Sequence, residues 1–361
     1  MFGPASYSPG TRRESAKPTR SAHSGQDRTG RGKSHVRGVR FVHDLTADHR
    51  LPCTLSLDLD DAWTYLRAAG RKGYETTPSV IPTVCERLLT TLHRHRAQLT
   101  LFVVGHDLDD ERKVAAIRPL VQAGHEIGCH SQMHEPEFAT LDRDQLEREI
   151  LGCADRIEQV LGVRPICFRA PGFARNPHTP AVLEKGGFRC DGSFLPTFLG
   201  PIARMFYFMR SGLDHEARKK RGAMFGGFAD AFGHLRAKPH RHAPSVLDLP
   251  VTTMPIFRLP FHLSYILWLS GKARWLARAY LATGLDLCRL TRTPPSYLLH
   301  SLDFLGRGEH PDLDFFPGMD VLWQDKLAMI DHLLAKLTRD FQVVPIGAFV
   351  EHKQAPVLAA H

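Results

Sequence analysis

The sequence contains no Cys-x-x-Cys pair, no His-Glu-x-x-His metalloprotease motif and no evident internal repeat. Its seven cysteines (Cys53, Cys85, Cys129, Cys153, Cys167, Cys190 and Cys288) are scattered, odd in number and set mostly among apolar neighbours. That distribution argues against a disulfide framework and predicts buried free thiols in a reducing compartment. The first residues lack the apolar run of a secretory signal, so a cytoplasmic location is expected. A long uncharged apolar stretch is also missing. The nearest approach, Val251–Leu269, contains Pro255 and Pro260 and is interrupted by Arg258 and His262. Such a segment makes a poor transmembrane helix, and a core helix or strand is the default. The sharper alternative is an interfacial surface for a lipid-linked substrate, with peripheral contact at the inner membrane face.

Basic charge is plentiful but unevenly placed. Residues 1–40 hold nine lysines and arginines against Glu14 and Asp27, which leaves only +2 of the formal +9 for the rest of the chain. The folded body therefore offers no general electrostatic reason to bind nucleic acid. The tail, residues 1–48, is rich in Ser, Gly, Pro and Arg without apolar periodicity, and is expected to be disordered. With 43% hydrophobic and 24% charged residues overall, the remainder reads as globular.

From about residue 50, strand-like and helix-like segments alternate. Leu51–Asp58 reads as a buried strand running into acids. Pro78–Arg96 follows as a helix, with Val80, Val84, Leu88 and Leu92 at four-residue spacing. Gln98–Gly105 and His125–His130 read as strands, separated by a helix around Lys113–Ala123. Leu141–Leu161 is a clear amphipathic helix. Pro165–Ala170 and Phe188–Asp191 are further strands around a helix at Pro177–Lys185. The alternation predicts an α/β fold with parallel strands, and a β/α barrel fits because reactive residues then gather at strand carboxyl ends. Between about 197 and 250 the pattern breaks, predicting an insertion. It carries Arg218, Lys219, Lys220 and Arg221, then Arg236, Lys238 and Arg241, as a solvated surface or a phosphate-binding patch. The catalytic domain is expected over 49–350, with 351–361 as a C-terminal tail.

Three segments carry chemistry. His130 and His134 lie four apart in HSQMH, where a helix or tight turn brings both imidazoles to one metal. With 21 histidines in 361 residues, the spacing alone is weak. The run Asp58-Leu59-Asp60-Asp61 ends an apolar strand in three carboxylates, and a bound cation is the simplest relief for like charges so close. One carboxylate can complete a two-His, one-Asp metal set, and a second can accept a proton from water. Arg169, in FRAPGF, stands at a strand end where it can pair with the base carboxylate and orient it. The backbone N–H groups of Gly172 and Phe173 can approach a developing oxyanion. Far along the chain, YLLHSLDF places His300 at the end of an apolar strand, suited to protonating a leaving amine.

The order acidic run, FVVG, GHEIGCHSQMH, FRAPG and LLH resembles the polysaccharide deacetylase group (NodB homology, carbohydrate esterase family 4) over roughly residues 51–350. The resemblance implies a distorted (β/α) barrel and a divalent metal, most simply Zn2+, with Co2+, Ni2+ or Mn2+ as alternatives. It implies a hydrolase of linear amides that removes N-acetyl or N-formyl groups from sugars. Carried onto this chain, it makes His130 and His134 ligands, Arg169 the partner of the base and His300 the general acid. The acidic motif departs from the common form, TFDDG. In one register Asp60 is the base and Asp61 the ligand; in the other Asp58 is the base and Asp60 the ligand. The second is favoured, because Asp58 directly ends the apolar strand. The family's aspartate–tryptophan segment has no evident match, and the insertion occupies its place. The expected substrate is a carbohydrate, including a lipid- or phosphate-linked precursor; a related hydrolase of a non-sugar amide and a non-catalytic glycan-binding module are the alternatives.

Overall fold

The alternation within Pro52–Leu59 (β1) dictates how the barrel is built. Cys53, Leu55, Leu57 and Leu59 are fully buried in the main hydrophobic cluster, while Ser56 and Asp58 face the opposite side, where both meet Arg169. The computed structural model describes residues 49–197, 199, 200, 205, 209, 211–222, 224, 239–241 and 243–358. The basic tail, 1–48, lies outside those residues, as do Arg236, Lys238 and the last three positions.

The remaining strands are β2 (Thr100–Val103), β3 (Glu126–Cys129), β4 (Cys167–Phe168), β5 (Cys190–Asp191), β6 (His240–Arg241), β7 (Leu247–Asp248), β8 (Ser296–His300) and β9 (Gln342–Val344). They form one sheet in the order β6-β7-β5-β4-β3-β2-β1-β8, with β9 paired to the start of β1. Every pairing is parallel except β6 with β7. The gap between β7 and β8 is narrowed by the chain that leaves β7. Thr252 N–H donates to the Ser296 carbonyl at 3.0 Å, and Ser296 N–H donates to Thr252 Oγ1 at 2.7 Å. The result is a distorted β/α barrel.

Helices α1 (Ala62–Ala68), α2 (Ile81–His95), α3 (Glu111–Gln122), α4 (Arg143–Leu161) and α5 (Thr179–Lys185) cover the parallel strands. Val80, Val84, Leu88 and Leu92 are all buried, as the spacing predicts. Helix α4 starts on a capping box between Asp142 and Gln145 and stops at Gly162, whose φ of 75° suits glycine. Helix α2 begins at Ile81 rather than Pro78, because the Val80 N–H is drawn to Asp61 Oδ1 at 2.8 Å.

Within the insertion, the described residues include α6 (His215–Lys220), anchored by buried Leu213. Of its basic cluster, Lys220 lies 3.7 Å from Glu137 and Arg221 donates to the Ala68 carbonyl, whereas Arg218 and Lys219 face solvent. The apolar stretch Val251–Leu269 divides at its prolines. Its first half runs extended, with a bridge between Thr253 and Pro260, and its second half opens α7 (Leu263–Ser270). Helix α8 (Arg274–Leu290) follows, and among the described residues no helix is long and apolar enough to cross a membrane. Helix α9 (Trp323–Asp340) leads to β9. The boundary expected at residue 350 needs correction, because the backbone of α10 (Ile346–Leu358) runs straight through it. All seven cysteines are buried and free.

His125, just before β3, is buried with Nδ1 unpaired, and burial lowers its pKa to about 4. The unfolded chain takes up that proton near pH 6.5, so this contribution to stability is full above about 6.5 and is lost as pH falls toward about 4. His125→Leu is expected to flatten that limb, with the urea midpoint falling less than the parent's between about pH 7 and about pH 4.5. Equal falls in both proteins would refute the assignment.

Candidate active site

The three acids at the end of β1 go in different directions. The Asp58 side chain accepts from Arg169 Nη1 at 2.6 Å. Arg169 is 0% exposed, donates also to Ser56 Oγ and the Gly192 carbonyl, and stacks over the Phe102 ring at 4.2 Å. Gly128 permits that ring, since a Cβ there would lie 2.6 Å from it. Asp61 turns the other way. It caps α1 by accepting from Ala62 N–H, accepts again from Val80 N–H, and pairs with Lys113 at 2.6 Å. Asp60 lies between them and faces the histidines.

His130 and His134 stand on the loop that follows β3, not on a helix. Ser131 and His134 adopt positive φ of 65° and 47°, a tight course that turns both rings to one side. Asp60 Oδ1 lies 3.4 Å from His130 Nε2 and 3.2 Å from His134 Nε2. His130 Nδ1 is 2.8 Å from the Arg169 carbonyl; as the donor there, it leaves the Nε2 lone pair facing Asp60. Asp60 Oδ1 is buried without a hydrogen-bond partner. With both imidazoles neutral, three electron-rich atoms converge, an arrangement that suits a cation; with none bound, a proton on His130 takes its place. Burial pushes the Asp60 carboxyl up, but His134 and His130 outweigh it and hold it well below the usual range. For His130 burial lowers the pKa, yet Asp58 and Asp60 prevail and raise it to about 9.

His300 is the register partner of Asp58 across β1 and β8, so it joins the same rim. Sequence reasoning missed what orients it. The Ser264 hydroxyl, at the start of α7, lies 3.1 Å from His300 Nδ1 and donates to Asp303 Oδ1 at 2.9 Å. Asp303 also accepts from the His300 N–H, and buried Lys326, donating to the Leu302 carbonyl, lies beneath. The Leu-Asp-Phe run after His300 was the available signal. His262, visible in the sequence only as a break in an apolar run, is buried with its ring centroid 5.7 Å from that of His300. Burial, with the charges of His300 and Arg169, holds it neutral well below the usual range.

Of the two backbone donors expected at the Pro171–Phe173 turn, Phe173 N–H is used internally, donating to the Ala170 carbonyl at 3.2 Å. Gly172 remains. Its φ is 55°, and the insertion's Met224 covers it so closely that a Cβ would lie 2.9 Å from the Met224 Cε. A cavity of about 690 Å³ is lined by Asp61, Trp63, Arg67, Tyr74, His106 and Met133; Asp60, His130 and His134 are not part of its lining.

Residues 56–190 match the family model for polysaccharide deacetylase. That segment belongs to the polysaccharide deacetylase family. Curated relatives include a peptidoglycan deacetylase of Helicobacter pylori, 29% identical over 35% of this chain and 40% of that one. A chitooligosaccharide deacetylase of Sinorhizobium fredii is 33% identical over 24% of this chain and 42% of its own length. The chain thus spans less than half the length of these relatives. A solved Mycobacterium smegmatis structure described as a polysaccharide deacetylase shares the fold with a TM-score of 0.55 at 21% identity, covering 86% of this chain and 92% of that one. The matched segment carries Asp58, Asp60, His130, His134 and Arg169, while His300 and its partners lie beyond it.

The geometry separates the two registers of the acidic run by experiment. Asp61→Ala removes a helix cap and the counter-charge of Lys113, and is expected to cost about 2 to 4 kcal/mol of stability while bound metal is retained. Asp60→Ala is expected to lose the metal. Metal loss in Asp61→Ala with stability intact would reverse the assignment.

Proposed function

We propose that this protein hydrolyses the N-acetyl or N-formyl amide of an amino sugar, with Asp60, His130 and His134 holding a divalent cation. The observation that carries the reading is Asp60 Oδ1 unpaired between two imidazoles, 3.2 and 3.4 Å away, beside the Asp58–Arg169 pair. Two histidines and a carboxylate suit zinc, and leave room for water and substrate. Bound there, such a cation supplies Lewis acidity and lowers the pKa of water.

Asp58 removes a proton from the attacking water as its oxygen bonds to the carbonyl carbon. Arg169 fixes the carboxylate through a 2.6 Å hydrogen bond during that transfer. Gly172 N–H is the backbone group offered to the oxyanion. His300, steadied at Nδ1 by Ser264, delivers a proton from Nε2 to the sugar nitrogen as the C–N bond breaks. The products are acetate or formate and a free amine.

Asp58→Asn is expected to retain metal and lose turnover by ~100- to 10,000-fold, whereas His134→Ala should lose metal itself. Metal analysis with an acetate-release assay distinguishes the two; full activity in Asp58→Asn would sink the base assignment.

The finer reading is a lipid-linked sugar met at the cytoplasmic membrane face. Helix α7 carries Ser264 at the site and exposed Trp268 one turn later, about 6 Å along the axis. Trp275, Leu276 and Leu322 are exposed around the same α7–α8 turn, where Gly271 approaches Val321, and exposed Lys272 and Arg278 supply positive charge. Aromatic and basic side chains together suit an anionic bilayer surface. Trp275→Ala with Trp268→Ala is expected to reduce sedimentation with vesicles containing phosphatidylserine and to lower turnover on polyprenyl-phosphate sugars more than on free oligosaccharides. Preference for the free sugars in the parent protein would refute the lipid-linked reading.

A further inference from the structure

His262 is a buried polar side chain with no task in the chemistry above. It stands at the N-cap position of α7, two residues before Ser264, yet its ring makes no capping hydrogen bond. The residue is 6% exposed, and Nδ1 is sealed from solvent without a partner. Nε2 also lacks a hydrogen bond among the described residues, but it is not sealed as Nδ1 is. Folded proteins seldom bury an imidazole with both nitrogens unused.

The ring has a fixed place beside the general acid. Its centroid lies 5.7 Å from that of His300, with the planes inclined by 59°, and Tyr265 stands edge-on to it at 4.7 Å. Tyr265 N–H donates to the His262 carbonyl at 3.1 Å, which closes the first turn of the helix. One residue earlier, the Phe261 carbonyl accepts from the Tyr297 hydroxyl at 2.8 Å. Tyr297 belongs to β8, the strand that ends in His300, so the two imidazoles are tied to one element.

We propose that His262 recognises the leaving half of the substrate, its Nε2 hydrogen-bonding the hydroxyl on the carbon next to the nitrogen that His300 protonates. This rests on the amide-hydrolase reading given above, and narrows the substrate to amino sugars in which that hydroxyl, at C3, is free.

Position and chemistry both support it. His300 is the register partner of Asp58, so an amide placed between base and acid brings its nitrogen, and the sugar carbons beside it, to the rim next to His262. Burial, with the charges of His300 and Arg169, keeps the ring neutral, which gives it no attraction for a phosphate or carboxylate. A hydroxyl both donates and accepts, so it satisfies Nε2 whichever nitrogen carries the proton. A site built for such a bond also rejects an analogue without the hydroxyl, because its own polar group is then left unpaired.

The test pairs a protein change with a substrate change. Acetate release is measured on N-acetylglucosamine carried by polyprenyl phosphate and on the free oligosaccharide, each with its 3-deoxy counterpart. The parent is expected to lose ~10- to 1,000-fold in kcat/KM on the 3-deoxy forms. His262→Phe keeps a ring but no nitrogen; it is expected to melt at the parent temperature and to treat both forms within ~2-fold of each other. Ser264→Ala acts through His300 instead, and should slow both forms alike while the preference persists. Equal turnover of the two forms by the parent, or an undiminished preference in His262→Phe, overturns the proposal. If the parent releases no acetate from any of the four, the amide-hydrolase reading falls and His262 with it; release without discrimination removes His262 alone.

Discussion

A guanidinium sealed inside the sheet is the constraint on which the site depends. Arg169 has no exposed surface, so its charge must be answered from within. Asp58 answers it at 2.6 Å, Ser56 and the Gly192 carbonyl take two more N–H groups, and the Phe102 ring supplies a π face at 4.2 Å. These partners come from β1, β2 and the turn after β5, so the ion pair locks the relative positions of neighbouring strands as well as the Asp58 carboxylate. The Arg169 carbonyl in turn engages His130 Nδ1 at 2.8 Å. One residue thereby orients the proposed base with its side chain and an imidazole facing Asp60 with its backbone.

The acidic run becomes intelligible as three carboxylates with three separate compensations. Asp58 has Arg169; Asp61 has Lys113 and two backbone N–H groups at the start of α1 and α2. Asp60 has only the two imidazoles, and its buried Oδ1 has no hydrogen bond. Burying that carboxylate against the lone pair of His130 Nε2 is costly unless a proton or a cation stands between them. The neighbours have already used the available lysine and arginine, so the position left over is the one that calls for a metal.

Much of this was legible because local patterns carried it. The alternation in LPCTLSLD gives β1 and its carboxyl end, and the four-residue spacings give the buried faces of α2 and α4. The histidine pair and Arg169 follow strands and His300 ends one, as the barrel requires. What was not legible depends on partners distant in sequence. Asp61 looked like a possible ligand because nothing near it announces Lys113, which reaches it from α3. Ser264 and Asp303 meet around His300 only once α7 packs beside β8, and a serine inside an apolar helix gives no pattern to read. Gly128 was part of a motif in the sequence; its physical reason, room for the Phe102 ring beneath Arg169, appears only across two strands.

The two halves of the site therefore answer to different parts of the chain. Asp58, Asp60, His130, His134 and Arg169 lie on β1, β3, β4 or the loops that leave them, within the segment matched to the family, and their positions follow from sheet register. His300 lies on β8 beside them, but its ring is steadied by a hydroxyl on α7, outside that segment. Helix α7 has one buried face, formed by Leu263, Ile266 and Leu267, and one exposed tryptophan, Trp268. Ser264 therefore ties the orientation of the His300 ring to the seating of that helix. In the proposed mechanism, proton delivery to the leaving amine depends on a contact from α7, the helix that exposes Trp268, whereas proton removal by Asp58 is set by the buried Arg169 inside the sheet.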